Sequence, residues 1–199
     1  MTEAGVARAV VTGCREWGAV TAAGYGDGVA LILSLVLDTD AQRRLDDLRS
    51  AHFPADRLVV GAHVTLFHAL PDAPEPRIRA DVRRIALRDP FEVRIAGVRS
   101  LGRGVALVLD GAPLLAVRAE LADAWRPWLT PQDAHSFSPH VTVQNKVTPE
   151  VARLLLQQMS AAFEPWTAQA RGLALWRYLG GPWGQLSTEE FSTDVPGGP

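Results

Sequence analysis

The sequence predicts an α+β sandwich, bilobal and pseudo-twofold, with a central cleft between antiparallel-rich sheets. Three observations carry that expectation. "GVALILSLVLD" at 28–38 returns in shortened form as "GVALVLD" at 104–110. "HVTLF" at 63–67 returns as "HVTVQ" at 140–144. The intervals agree as well, since Gly28 leads His63 by 35 residues and Gly104 leads His140 by 36. A period of about 76 residues, the separation of the two glycines, is too long and copied too few times for a solenoid.

Each half is expected to run strand, helix, strand, helix, strand. In the first, 29–37 is a short Leu/Val/Ile-rich run closed by "DTD", which fits a buried strand followed by an N-capped helix. Leu45 and Leu48 give that helix its apolar side. "ADRLVVGAHVTLF" at 55–67 brings the second strand, and "PDAPEP" at 71–76 breaks the chain before an Arg-rich helix near 77–88. "FEVRIAGVRSL" at 91–101 and "WTAQARGLALW" at 166–176 are weaker counterparts that each follow a helical pattern. In the second half, Thr148 and Pro149 make a helix start, and Val151, Leu154, Leu155, Met159 and Phe163 follow at helical spacing until "EPW". The expected organisation is an N-terminal extension over 1–27, one domain over 28–190 built of repeats at about 28–101 and 104–190, and a tail over 191–199.

The 199 residues suffice for one sizeable domain, and 47% hydrophobic with 21% charged residues is an ordinary globular composition. A net charge of -2 argues against an open basic surface that tracks nucleic acid, while leaving room for an end-bound phosphate. All but one of the 20 basic residues are Arg, read as genomic base composition; the single lysine, Lys146, lies six residues past His140. One cysteine, Cys14, excludes an internal disulfide framework and a cysteine-based zinc cluster. No charged start joined to an apolar core and no apolar run of membrane-spanning length is found, so the expected setting is cytoplasmic, with no membrane contact and a monomeric state.

In a strand, alternation puts His63 and Thr65 on one face and Val64 and Leu66 on the other, and does the same for His140 and Thr142. A lone histidine on a strand is more often a packing residue than a catalyst. Composition alone predicts about 0.2 occurrences of His-x-[Ser/Thr]-apolar, so two occurrences at equivalent points of matching halves point to chemistry. Two imidazoles can take complementary protonation states, one accepting a proton and one donating. Two hydroxyls can donate to non-bridging phosphate oxygens as charge develops. That combination suits phosphoester cleavage or formation with no metal and no other cofactor.

"HVTLFHALP" and "PHVTVQNKV" resemble the paired His-x-Thr-x signatures of the 2H phosphoesterase superfamily, and more closely its bacterial 2',5'-RNA ligase-like branch, which are also RNA 2',3'-cyclic phosphodiesterases. The resemblance covers roughly 28–190. It implies that His63 and His140 act as general acid and base, that Thr65 and Thr142 bind phosphate, and that the fold is a bilobal sandwich. It further implies a substrate at RNA ends or among small nucleotides bearing a 2',3'-cyclic phosphate, opened to a 2'-phosphate, with reversible 2',5' ligation as a second activity. Two departures are visible: the extension is longer than usual, and "QNK" stands where "AR" often follows the second motif.

Continuing the alternation puts Phe67 on the His63 face, where it could stack a base, and Gln144 and Lys146 on the His140 face, where they could meet substrate. The same parity excludes His68 from the cleft. His52 falls at a helix end, where it complements the dipole, and His135 falls in a loop able to cover the site. A metal hydrolase using His63, His68, His135 and His140 is disfavoured because no metal-binding spacing accompanies them. A catalytically silent nucleotide- or RNA-binding module using the same cleft is the alternative from another class.

Overall fold

The computed structural model describes residues 30–193. Seven strands and five α-helices follow in the order β1 (Ala30–Leu37), α1 (Thr39–His52), β2 (Val64–Pro71), α2 (Glu75–Ala86), β3 (Phe91–Ser100), β4 (Val105–Asp110), α3 (Ala112–Ala124), α4 (Pro131–Ala134), β5 (His140–Gln144), α5 (Pro149–Ala162), β6 (Trp166–Tyr178) and β7 (Trp183–Glu190). The α+β class expected from the sequence is what forms. The extension over 1–27 with its Cys14, residues 28 and 29, and most of the tail lie outside the described residues.

Helix starts follow local chemistry. Asp38 caps α1 by accepting from the Ala41 N–H at 2.9 Å, and its other oxygen accepts from the Gln169 N–H at 2.7 Å, tying the helix start to β6. Thr148 caps α5 by accepting from the Val151 N–H, with Pro149 in the first turn. The buried side of α5 is set by Ala152 and Leu155, whereas Val151 and Leu154 are 46% and 56% exposed. The apolar residues there outnumber the positions the core covers.

All strand pairings are antiparallel, in the order β1-β2-β5-β4-β3-β6-β7, and β1 also pairs with β6. The closing strand is β6. One of its edges follows β1 from Ala170 to Arg177; the other takes β3 as far as Ala170 and then β7. The two halves mirror each other in this scheme. β1–β2 answers β4–β5, β1–β6 answers β4–β3, and β2–β5 and β3–β6 join the halves. Gly104, which opens the second "GVAL", is required by space, because a Cβ there would come within 2.0 Å of the Gln144 carbonyl oxygen. The core runs through both halves, with Leu31, Leu33, Phe67, Ile78, Ile95, Leu107, Leu121 and Trp125 among its fully buried members.

Candidate active site

The strands β2 and β5 share one registered pair, Val64 with Val141. Continuing this antiparallel register by one residue each way sets His63 beside Thr142 and Thr65 beside His140, cross-strand neighbours about 5 Å apart at Cβ. All four are half-buried, while Val64, Leu66, Val141 and Val143 on the other face are at most 1% exposed. The four motif residues therefore meet in one array at the seam between the halves.

The imidazoles are mounted alike. His63 Nδ1 lies 2.8 Å from the Gly61 carbonyl oxygen, and His140 Nδ1 lies 2.9 Å from that of Ser138, each two residues back. For His63 such a bond puts the proton on Nδ1 and leaves Nε2 as the reactive nitrogen; at His140 the Ser138 carbonyl favours the same tautomer. Loss of hydration is the largest influence on both rings. It lowers His63 to about 4, helped by the positive charge of Arg49 and opposed by the Gly61 carbonyl. His140 is lowered by burial and by Arg99, against the opposing pull of Ser138. The indole of Trp183 on β7 lies 4.7 Å from the His63 ring between centroids, and Trp176 on β6 backs it at 6.0 Å. Trp176 is anchored by donating its indole N–H to Ser34 Oγ at 2.8 Å.

Three arginines support the array. Arg49 on α1, 1% exposed, donates to the Val60 carbonyl at 3.0 Å and to the Thr142 carbonyl at 2.5 Å. Arg118 on α3, 5% exposed, donates to the Leu66 carbonyl at 2.7 Å and to the Asp133 carbonyl. A helix of each half thus braces the backbone of the other half's motif strand. Arg99 on β3 donates to Ser138 Oγ at 2.7 Å and brings Nη2 within 2.9 Å of His140 Nδ1. One Nδ1 cannot donate to Ser138 and accept from Arg99 at once, so the two contacts favour different tautomers.

Beyond the four motif residues, simple alternation fails. Pairing of β1 with β2 shifts between Leu33 and Ser34, which inserts a bulge at Leu66–Phe67 and reverses the parity at Phe67 and His68, and it shifts again between Leu31 and Leu33, which returns Leu70 to the core face. Phe67 consequently turns into the core, 0% exposed, against Trp125 at 4.9 Å and beneath the Arg118 guanidinium at 3.8 Å. It is not a base-stacking surface. His68, excluded by parity, comes instead to the site's side, and its charge is felt by both His63 and His140. A second shift, between Val105 and Ala106, inserts a bulge at Val143, and Gln144 is buried at 5% exposure rather than facing a ligand. Lys146 lies past the end of β5, in a left-handed turn at φ 62° that strand parity does not govern. His52 closes α1 as expected, and exposed His135 follows α4 with Nδ1 on the Pro131 carbonyl. Among the described residues no group of three or more His, Cys, Asp or Glu could hold a metal ion.

Sequence reasoning missed Arg49, Arg99, Arg118, Asp133, Trp176 and Trp183. Only Asp133 carried a local signal, since "TPQD" reads as a capping motif; Thr130 Oγ1 does accept from the Asp133 N–H at 3.2 Å.

The family model described as the 2'-5' RNA ligase superfamily matches residues 37–182. The chain belongs to that superfamily. Its members, the 2H phosphoesterases, are phosphoesterases and RNA ligases. Among solved structures, E. coli LigT in apo form is 16% identical with a TM-score of 0.57, covering 83% of this chain and 99% of its own. TT0787 of Thermus thermophilus is 19% identical with a TM-score of 0.55, covering 83% and 100%. E. coli LigT complexed with 3'-AMP is 17% identical with a TM-score of 0.53, covering 83% and 99%. At these identities the likeness is one of fold. No curated protein matches by sequence. Among the described residues no helix is long and apolar enough to cross a membrane.

Proposed function

We propose that the protein opens 2',3'-cyclic phosphates at RNA ends or in small nucleotides by water attack, leaving 2'-phosphates, and that the same site reversibly joins 2',5' linkages when a 5'-hydroxyl takes the place of the attacking water. The observation that carries this reading is the cross-strand array around Val64 and Val141, whose register sets two imidazoles and two hydroxyls side by side on one face of the sheet. His63 is the base. Its Nδ1 proton is committed to the Gly61 carbonyl, and it is neutral at neutral pH, so its Nε2 lone pair can take a proton from water as the water oxygen bonds to phosphorus. His140 is the acid. A bound phosphate anion favours its imidazolium, which passes the Nε2 proton to the 3' oxygen as the P–O3' bond breaks and keeps its Nδ1 proton on the Ser138 carbonyl.

Thr65 and Thr142 donate to the non-bridging oxygens, where charge gathers in the transition state. After one turnover the protonated ring is His63 and the neutral one is His140, so the reverse reaction uses the same two groups with roles exchanged. The repeat supports that interchange, and we take 28–101 and 104–190 as duplicated halves of one domain. The 2' outcome follows the superfamily resemblance. It is tested by opening a cyclic-phosphate-ended oligonucleotide in 18O-labelled water and reading the product by 31P NMR. One labelled oxygen on a 2'-phosphate is expected; a 3'-phosphate overturns the stated regiochemistry, and unlabelled phosphate overturns water attack.

A further inference from the structure

His68 and Asp133 form a second polar pair beside the array, and the two-histidine reaction makes no use of them. The Asp133 side chain is 1% exposed and that of His68 is 40% exposed. The carboxylate accepts from the His68 N–H at 2.9 and 3.0 Å, from the Ala69 N–H at 3.0 Å and from His68 Nδ1 at 3.0 Å. Burial pushes the Asp133 carboxyl up, but these hydrogen bonds outweigh it and hold the group below the usual carboxylate range. An ionised Asp133 accepts a hydrogen bond from the His68 Nδ1 proton and leaves Nε2, at the opposite edge of the ring, as the nitrogen turned away from the carboxylate. The titratable groups that bear on His68 are Asp133 from α4, His63 from just before β2 and His140 from β5.

Distance sets the role. The Leu66–Phe67 bulge brings His68 round to follow His63 and Thr65, three residues past the Thr65–His140 pair. The bulged residue adds no rise, since Thr65 faces Ser34 and Phe67 faces Leu33, so this is about two strand steps, or about 7 Å, along the site, comparable to the reach of a nucleoside between its 3' and 5' phosphates.

We propose that His68, braced by Asp133, is a second anion-binding point that takes the phosphate next along the nucleotide chain from the reacting one. The substrate class is then a nucleotide or oligonucleotide with at least two phosphates, in preference to a nucleoside carrying a cyclic phosphate alone. This rests on the phosphoester reading of the His63–His140 array.

The test reads binding, so it does not depend on turnover. Adenosine 3'-monophosphate and adenosine 3',5'-bisphosphate are titrated into the wild type, His68→Asn and Asp133→Asn, with thermal unfolding confirming that each variant is folded. In the wild type the bisphosphate is expected to bind about tenfold tighter, the scale of one charge-assisted contact. His68→Asn is expected to abolish that advantage and leave the monophosphate unchanged, with Asp133→Asn reducing it. No advantage in the wild type, an advantage that survives His68→Asn, or an equal loss for both ligands overturns the proposal. A wild type that binds neither ligand overturns the phosphoester reading itself, which separates the two failures.

Discussion

Trp183→Ala probes the mounting of His63 most directly. The indole lies against the imidazole at 4.7 Å between centroids with the rings tilted by 53°, and exclusion of water is the largest cause holding His63 at about 4 against an ordinary 6.5. That gap corresponds to about 3 kcal/mol of preference for the neutral ring. Trp183 is one wall among several; the Arg49 charge and the Gly61 carbonyl remain after its removal. Recovering roughly a third of the gap gives a rise of about one pH unit. The assay is an NMR titration of the histidine Cε1 protons, with the His63 signal assigned by its absence in His63→Gln. The sign carries through to rate: a base works in its neutral form, so the acid limb of kcat/KM follows the free-enzyme His63 and moves to higher pH in the variant. At pH 5 kcat/KM should fall about twofold further than at pH 8. A wild-type His63 titrating near 6.5, or one unmoved by Trp183→Ala, refutes the reasoning.

Thr65→Val and Thr142→Val should each lower kcat about tenfold or more without changing thermal stability, since each removes one hydrogen bond to a charged oxygen worth about 1.5 to 3 kcal/mol; unchanged kcat in either removes that hydroxyl from the mechanism. Arg99 opposes protonation of His140, so Arg99→Gln should raise the His140 pKa and move the alkaline limb of kcat to higher pH; a limb that moves down contradicts the assignment of His140 as acid. Phe67→Ala should cost about 3 to 5 kcal/mol of stability in denaturant unfolding, as a core ring does; a loss below about 1 kcal/mol is incompatible with its burial.

The elements that could be read in the sequence are those fixed by nearest neighbours. Asp38 and Thr148 declare helix starts because a cap acts within three residues, and the doubled His-x-Thr fits a strand because alternation holds over three residues. Alternation failed from the fifth residue, Phe67 in one motif and Gln144 in the other. Leu66 and Phe67 are both apolar, and nothing in them says that a bulge will turn the ring inward and bring His68 to the site. Arg49 and Arg118 were hidden by type, since arginine is rarely fully buried and nineteen of them offered no contrast. Their partners, the Thr142 and Leu66 carbonyls, are 93 and 52 residues away in sequence. Trp183 is 120 residues from His63 and meets it only because β6 closes the sheet against β1 and carries β7 with it.

The measurement that tests the central claim most directly is single-turnover opening of a 2',3'-cyclic-phosphate-ended oligonucleotide in excess EDTA by the wild type, His63→Ala and His140→Ala, each shown to be folded. The two-histidine account predicts turnover in the wild type and a loss of about 100-fold or more in each variant. Near-wild-type turnover in either variant, or wild-type turnover that EDTA abolishes, contradicts it.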